Sequence, residues 1–575
     1  MITSNKQKTT YLLRDFQYTL EDRIFYPPKY NEVEYSYSDG KKIEDNIFSS
    51  ICNSNDVSEG SSELITHIRD WPTYYHFAID RANIFRCLDI DPISKVIEFG
   101  AGCGAITRYL GENYSSVDSI EGSKRRARIT RERCRDLDNV KVFCSNIENI
   151  QFNHEYDIAT LIGVLEYAPV YFSDCHSPES ACMTLLKLAH DAIKEDGTLI
   201  LAIENKIGLK YWSGCSEDHT GILYESLHGY PTQMGPVTFS KKEIIALLSA
   251  AGFTNTKVFS CFPDYKFAST ILADIADGKN YYLNNWIDAP FLAYGGVPRE
   301  YSFHEGLVLK TLYEAGLLGE FANSFLVLAR SENSMPLENN DWIAKKFSLK
   351  RRKELRCQTT LKYTPQNTHQ IFIEKKRIYG GNLNITLANT EFSLCHRVLD
   401  ATWIAGNTLN VIYSTSPYKK DCYGFVKQLL GQYYEEILKK YSTGRFDEDE
   451  YPLLKGSSID FIPTNIIIDN NSFESIDEEW IVEGDIPADY LLYRFLLNNF
   501  FRSQRPWIKG KFKSINYATI NLLQTIFPKY SIIRHKKNIK YERSFEDLVT
   551  AGINYGMPRQ NLLSYIRKFV VIFSK

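Results

Sequence analysis

Strong charge bias, paired cysteines and long apolar runs are all missing from this chain of 575 residues. Sixty-seven basic and seventy acidic side chains leave a formal net charge of −3, so no nucleic-acid footprint and no preference for acidic substrates follows. Twelve cysteines are scattered without a C-x-x-C pair, which argues against a zinc site and against a disulfide framework. No segment has the apolar length needed to span a bilayer. The residues from Met1 to Lys6 lead into a polar stretch without the apolar core of a signal peptide. The expectation is a cytoplasmic protein with no transmembrane segment. No internal repeat or low-complexity tract is present, and at 44% hydrophobic and 24% charged residues the chain exceeds what one core spans, so two or three domains are expected.

What is present begins at residues 96–104, an apolar run that contains Glu98 and ends in Gly100, Ala101, Gly102, Cys103 and Gly104. Such a pattern describes a strand feeding a turn whose backbone approaches a ligand with no Cβ in the way. A second apolar segment, residues 116–120, ends in Glu121, placed to reach ribose hydroxyls at the carboxyl edge of a parallel sheet. The dinucleotide fingerprint is G-x-G-x-x-G. Here the spacing is E-x-G-x-G-x-G, which resembles motif I of the class I S-adenosylmethionine-dependent methyltransferases, where the turn meets the amino-acid part of the cofactor.

The order downstream fits that resemblance. Residues 139–144 read as a third strand, followed by Asn146 and Ile147 where the family usually carries an acidic residue beside the adenine. The asparagine carbonyl can still accept from an exocyclic amine. Residues 156–162 form a fourth strand running into Gly163 and Glu166, a helix covers 181–193, and 198–203 make a fifth strand. Strands alternating with helices imply an α/β fold with a doubly wound parallel sheet.

After the fifth strand comes a polar, aromatic loop that includes Glu204, Lys206, Lys210, Trp212, Glu217, Asp218 and His219. It resembles the insert of methyltransferases from bacterial surface-polysaccharide clusters, as does the stretch from Trp71 to His76 with Asp80 and Arg81; a packed lid with its aromatics in a core is the plainer reading. Methyl transfer is largely a matter of positioning. Were the acceptor a hydroxyl, Glu166 or His219 would serve as proton acceptor; were it a phosphate, Lys206, Lys210 and Arg81 are the candidate cations.

The second half carries another constellation. Asn465 stands five residues after Asp460, and Asp477 twelve residues after Asn465. Phosphoryl transfer uses such a set, one aspartate accepting the hydroxyl proton while an asparagine and a second aspartate hold magnesium. The layout resembles the protein-kinase-like fold, with Asp460 catalytic and Asn465 and Asp477 binding metal. The usual histidine is Ser458 here, and no glycine-rich phosphate loop is evident. Residues 370–378 alternate like a strand and offer Lys375 as the phosphate-contacting lysine, with Glu391 as its expected partner. A helical apolar stripe over residues 423–441 precedes the loop. The alternative is an inactive kinase-like domain kept for binding or assembly.

Both halves in order resemble the bifunctional chain-terminating methyltransferase-kinases of bacterial O-antigen synthesis. The resemblance implies S-adenosylmethionine, ATP and magnesium as cofactors. It implies a polysaccharide or lipid-linked glycan as acceptor, phosphorylated at its end and then capped by methyl, with a glycosyltransferase as a second partner. Peripheral attachment at the inner membrane is compatible with it. One element is absent, a sustained heptad repeat in the tail. Two further readings stand: a sugar O-methyltransferase with an inactive second domain, and an assembly component regulated by its cofactor site. The expected division is a lead (1–55), a methyltransferase domain (56–275), a connector (276–340) with a helix at 305–317 and an edge strand at 325–328, an α+β protein-kinase-like domain (341–520) and a helical tail (521–575). The basic runs 350–353 and 534–537 read as solvated faces, and residues 560–573 as an amphipathic helix.

Overall fold

The computed structural model describes residues 9–30, 38–231, 235–274, 281–289, 291, 299–338, 340–364, 367–469, 472–501 and 514–555. Three short strands among the described residues precede the glycine motif: Tyr11–Leu12, which pairs outside the main sheet with Ile150–Gln151, and β1 (Gln17–Thr19) and β2 (Ile24–Tyr26), which join it. The expected strands follow as β3 (Lys95–Phe99), β4 (Ser116–Glu121), β5 (Val140–Cys144), β6 (Tyr156–Ile162) and β7 (Ile193–Glu204). Then come β8 (Asn255–Phe262), β9 (Thr270–Leu272), β10 (Ser324–Arg330), β11 (Trp342–Ser348), β12 (Cys357–Thr364), β13 (Asn367–Arg377) and β14 (Ala401–Thr402). Among the described residues these fourteen strands form one sheet, in the order β14-β13-β12-β11-β9-β8-β10-β7-β6-β3-β4-β5-β2-β1.

Strands β3 to β7 are parallel, with Val96 opposite both Val117 and Ile158. Strand β10 runs antiparallel between β7 and β8. Residues 325–328, expected at an edge, therefore lie in the middle of the sheet. Their uninterrupted apolar character is what a strand covered on both faces requires.

Successive side chains along a strand point to opposite faces, and the two faces are covered separately. Ile97, Phe99, Leu161 and Leu199 pack against Leu185 and Leu186 of a helix at Pro178–Ala192 and Leu248 of one at Lys241–Ala250. Val96, Val117, Val142 and Ile158 pack against helices α1 (Lys41–Asn53), α2 (Ala105–Asn113) and α3 (Lys124–Arg133) through Ile47, Leu110 and Ile129. Each such buried aliphatic side chain contributes about 1.5–3 kcal/mol. A third core joins Leu430, Tyr433 and Ile437 of α4 (Cys422–Tyr441), Leu491 of α5 (Ala488–Arg494), Leu522 of α6 (Ile515–Gln524) and Leu548 of α7 (Ile532–Thr550).

Three expected boundaries are corrected by this arrangement. The lead supplies β1, β2 and α1 to the first unit rather than standing apart. The stretch 276–340 is no connector, because β10 is central to the sheet. The second unit shares that sheet, as β11 pairs with β9 through Thr270 opposite Lys346. The tail is helical as expected up to Thr550, but α7 belongs to the third core. Its run 534–537 is only partly a solvated face: Arg534 is buried, and its Nη2 meets Asp489 at 2.6 Å and Asp447 at 2.7 Å. Residues 560–573 lie outside the described residues. No helix among the described residues is long and apolar enough to cross a membrane.

Candidate active site

The turn after β3 sits at the carboxyl edge of the parallel strands. Gly100 and Gly102 adopt φ of +82° and +56°, which side chains with a Cβ rarely tolerate. A Cβ on Gly100 would lie 2.7 Å from Val164 Cγ2, whereas one on Gly102 would enter open space. The open space is a cavity of about 330 Å³ lined by Glu98, Gly100, Ala101, Gly102, Glu121, Asn146, Ile147, Gly163, Glu166 and His219. Gly104 is the exception among the expected cofactor residues: it is not in the lining, and it instead starts α2 with a left-handed backbone close against Thr130.

Two carboxylates hold the turn. Glu121 accepts from Gly102 N–H at 2.8 Å and Ser123 N–H at 2.9 Å, and burial raises its pKa. Glu98 accepts from the Thr107 and Ser119 hydroxyls, each at 2.6 Å, and burial pushes its pKa up to about 7. The cavity continues past Asp39, Trp71, Tyr75 and Arg81. Arg81 donates to Tyr75 Oη at 3.1 Å, so the segment preceding the motif does reach the site.

The opposite wall is ionic and buried. His219 Nδ1 meets Glu217 Oε1 at 2.8 Å, while its Nε2 lies 3.6 Å from Glu166 and 3.8 Å from Glu204. Burial opposes a charged ring, but Glu204, Glu166 and Glu217 outweigh it and raise the His219 pKa well above the usual imidazole value. Glu166 is raised by burial, against the pull of His219. Lys266 pairs with Glu204 and with Asp218, and Lys210 with Asp218 at 2.8 Å. Lys210 is thus a buried structural cation rather than a free one, and Lys206 pairs with Glu243 instead of lining the cavity. Sequence reasoning missed the roles of Glu204, Glu217, Asp218 and Lys266. The adjacency of Glu217, Asp218 and His219 in one loop was the available signal.

A second cavity of about 600 Å³ opens where residues 284–289 meet the second unit, and Lys375, Asn465, Asp477, Glu478 and Glu479 line it. Lys375 on β13 pairs with Asp477 and, at 2.9 Å, with Glu479; burial opposes its charge, yet these carboxylates raise its pKa. Glu391, the expected partner, pairs with Lys540 instead. Asn465 Nδ2 donates to the carbonyls of Asp460 and Asp477 at 3.2 and 3.3 Å, tying the two segments together. Asp477 has a φ of +63°, tolerated by aspartate and enriched at functional turns. Asp460 does not line the cavity; its Oδ2 accepts from Trp480 N–H at 2.6 Å, and burial, with Glu479 and Asp477 nearby, raises its pKa well above the carboxylate range. Its role as proton acceptor stays an expectation of the resemblance, with the carboxylate buried here on Trp480 N–H. Arg351, read in the sequence as part of a solvated basic face, is instead drawn onto Glu479 at 2.9 Å, and His396, missed in the sequence, approaches the same carboxylate at 3.5 Å.

Parallel strands ordered β5-β4-β3-β6-β7, followed by a reversed β10 and then β8, together with a glycine turn after β3, define the α/β architecture of class I methyltransferases. Residues 97–201 match the family model described as a methyltransferase domain, and the chain carries such a domain there. No curated protein matches the chain. Among solved structures, an S-adenosylmethionine-dependent methyltransferase from Thermotoga maritima is 18% identical with a TM-score of 0.26, over 45% of this chain and 92% of its own. One from Mesorhizobium loti is 12% identical with a TM-score of 0.27, over 44% of this chain and 97% of its own. Phosphoethanolamine N-methyltransferase 1 of Haemonchus contortus, solved with phosphoethanolamine and S-adenosylhomocysteine, is 18% identical with a TM-score of 0.21, over 29% of this chain and 34% of its own.

Proposed function

We propose that the first cavity binds S-adenosylmethionine and directs its methyl group to a carbohydrate acceptor, the end of a surface polysaccharide or lipid-linked glycan. The observation that carries this reading is the space kept open at Gly102 beside a carboxylate, Glu121, anchored by the same turn. Those features suit the amino-acid and ribose parts of the donor, and Asn146 and Ile147 flank the place for its adenine. When bound, the donor supplies an electrophilic methyl on a positively charged sulfur. The chain's residues do the rest: the turn fixes orientation, and Trp71, Tyr75, Tyr167 and Tyr171 offer amphipathic faces of the kind that stack on sugars. Under this reading Glu166 takes the proton of the acceptor hydroxyl, and His219, which its carboxylates hold charged, orients the acceptor oxygen. Calorimetric titration of the purified chain with S-adenosylmethionine, followed by transfer of labelled methyl to glycan fractions, tests the reading. Absence of donor heat sinks it.

A second activity is supported by the meeting of Lys375 with Asp477 and Glu479 beside Asn465. We propose that the second cavity holds nucleotide phosphates and magnesium, with Lys375 on phosphate and Asn465 and Asp477 on metal, and that it phosphorylates the glycan before methylation. Incubation with ATP, magnesium and glycan tests this; transfer that survives Asp477→Asn argues against it, and no transfer by the intact chain leaves a binding domain.

A further inference from the structure

Along one wall of the first cavity lies an ionic cluster in which carboxylates outnumber cations, the charged His219 included. Glu166, Glu204, Glu217, Asp218 and Asp264 face two lysines, Lys210 and Lys266, and all seven side chains are largely buried. Lys266 takes one oxygen of Glu204, and both lysines share one oxygen of Asp218. Glu217 is spent on His219, since Oε2 accepts the backbone N–H of His219 and Thr220 while Oε1 meets the ring at Nδ1. What is left over is specific. Both carboxylate oxygens of Glu166 and Oε2 of Glu204 are buried without a hydrogen-bond partner, though Glu166 is only 1% exposed and Glu204 is fully buried. The charged His219 ring stands 3.6 and 3.8 Å from Glu166 Oε1 and Glu204 Oε2, beyond hydrogen-bond reach, and a buried carboxylate oxygen so placed costs free energy unless a cation comes closer.

The histidine completes the geometry. With Nδ1–H directed to Glu217, Nε2 faces Glu166 Oε1 and Glu204 Oε2, and a metal ion binding between them would displace the Nε2 proton of the charged ring. A carboxylate that fixes the far nitrogen of an imidazole is the usual support of a metal-ligating histidine. The three potential ligand atoms lie within 4.8 Å of one another. Ligands about 2.0–2.2 Å from one tetrahedral ion would stand about 3.3 Å apart. The 3.6 and 3.8 Å separations of Nε2 from the two oxygens thus need a few tenths of an ångström of closure.

We infer that Glu166, Glu204 and His219 form a binding site for one divalent cation, with Glu217 as the positioning residue for His219. One imidazole with two carboxylates suits manganese or zinc better than calcium, which takes oxygen ligands throughout. Glu166 and His219 face the first cavity, so the open coordination positions point to where an acceptor oxygen would lie. That last use rests on the acceptor reading given above, but cation binding does not.

The experiment titrates chelator-treated full-length protein with Mn²⁺ and follows the free-ion signal by electron paramagnetic resonance, with Zn²⁺ as competitor. An Asp477→Asn background without nucleotide keeps the second cavity out of the count. One bound ion per chain is expected, displaced by Zn²⁺, with affinity reduced at least about tenfold by Glu204→Gln and about 10–100-fold by Glu217→Gln. Glu217→Gln guards against a misfolded ligand variant, because it leaves all three ligands in place. No bound Mn²⁺ or Zn²⁺ at millimolar concentration, or equal binding in Glu166→Gln, Glu204→Gln and Glu217→Gln, overturns the assignment. Donor calorimetry on the same samples separates the two claims: donor heat without metal binding removes only the cation site, and metal binding without donor heat removes only the methyl-donor reading.

Discussion

The two cavities are built on opposite principles. The first is local: the turn residues from Gly100 to Gly104 follow one strand, and Glu121 arrives at the end of its neighbour. The second is assembled at long range, because Lys375 finds its partner Asp477 across 102 positions of sequence. The first is therefore written as a motif, and the second becomes visible only once the chain is folded. The comparison also predicts independence, since the buried ion pairs around His219 and those around Lys375 share no residue.

The largest effect expected from breaking that independence test is at Arg534. Its loss leaves the fully buried Asp489 without its guanidinium, so Arg534→Ala should destabilise the second unit by about 3–5 kcal/mol. Denaturant unfolding monitored at both sites should show nucleotide binding lost first and donor binding retained; simultaneous loss would show one cooperative unit. Next comes the pH dependence due to Glu98. Its folded pKa is raised from 4.5 to about 7, so the folded state holds the extra proton and stability falls as pH rises between those values, then stays level. The full change is of order 3 kcal/mol. Glu98→Gln should flatten this part of the pH profile of the first unit, read by thermal melting, without altering the second.

Smaller effects sharpen the contrast at the ligand level. Glu121→Gln should weaken donor binding by about 1.5–3 kcal/mol, roughly ten- to a hundredfold, while nucleotide affinity stays unchanged. Lys375→Met should lower nucleotide affinity by about 1.4 kcal/mol, close to tenfold, and leave the donor isotherm as it was. Titration calorimetry with both ligands on both variants decides whether each change stays in its own cavity.

What was legible in the sequence follows the same division. Strands β3 to β6 were readable within a residue or two because period-two and buried apolar patterns are local. The antiparallel β10 was readable as a strand, but its position was not, since an apolar run reports burial and not neighbours. Residues 534–537 read as a solvated face because charge pairing is invisible in order alone; Asp447, Asp449 and Asp489 bury Arg534 from two other segments. Layout alone points Lys375 to Glu391, whereas the fold brings Asp477 and Glu479 to the lysine from more than a hundred positions away and gives Glu391 to Lys540. Likewise Glu166, Glu204 and His219 lie on three segments that only the sheet edge brings together.

The shared sheet has a consequence for traffic between the cavities. Strand β11 is stitched to β9, Arg356 donates to Gly60 O at 2.7 Å, and Tyr379 donates to Glu59 at 2.7 Å. The two cavities are thus mounted on one continuous sheet. Under the proposed reading, an acceptor used at both would have to travel between them, which suits a long, flexible polymer better than a small free metabolite.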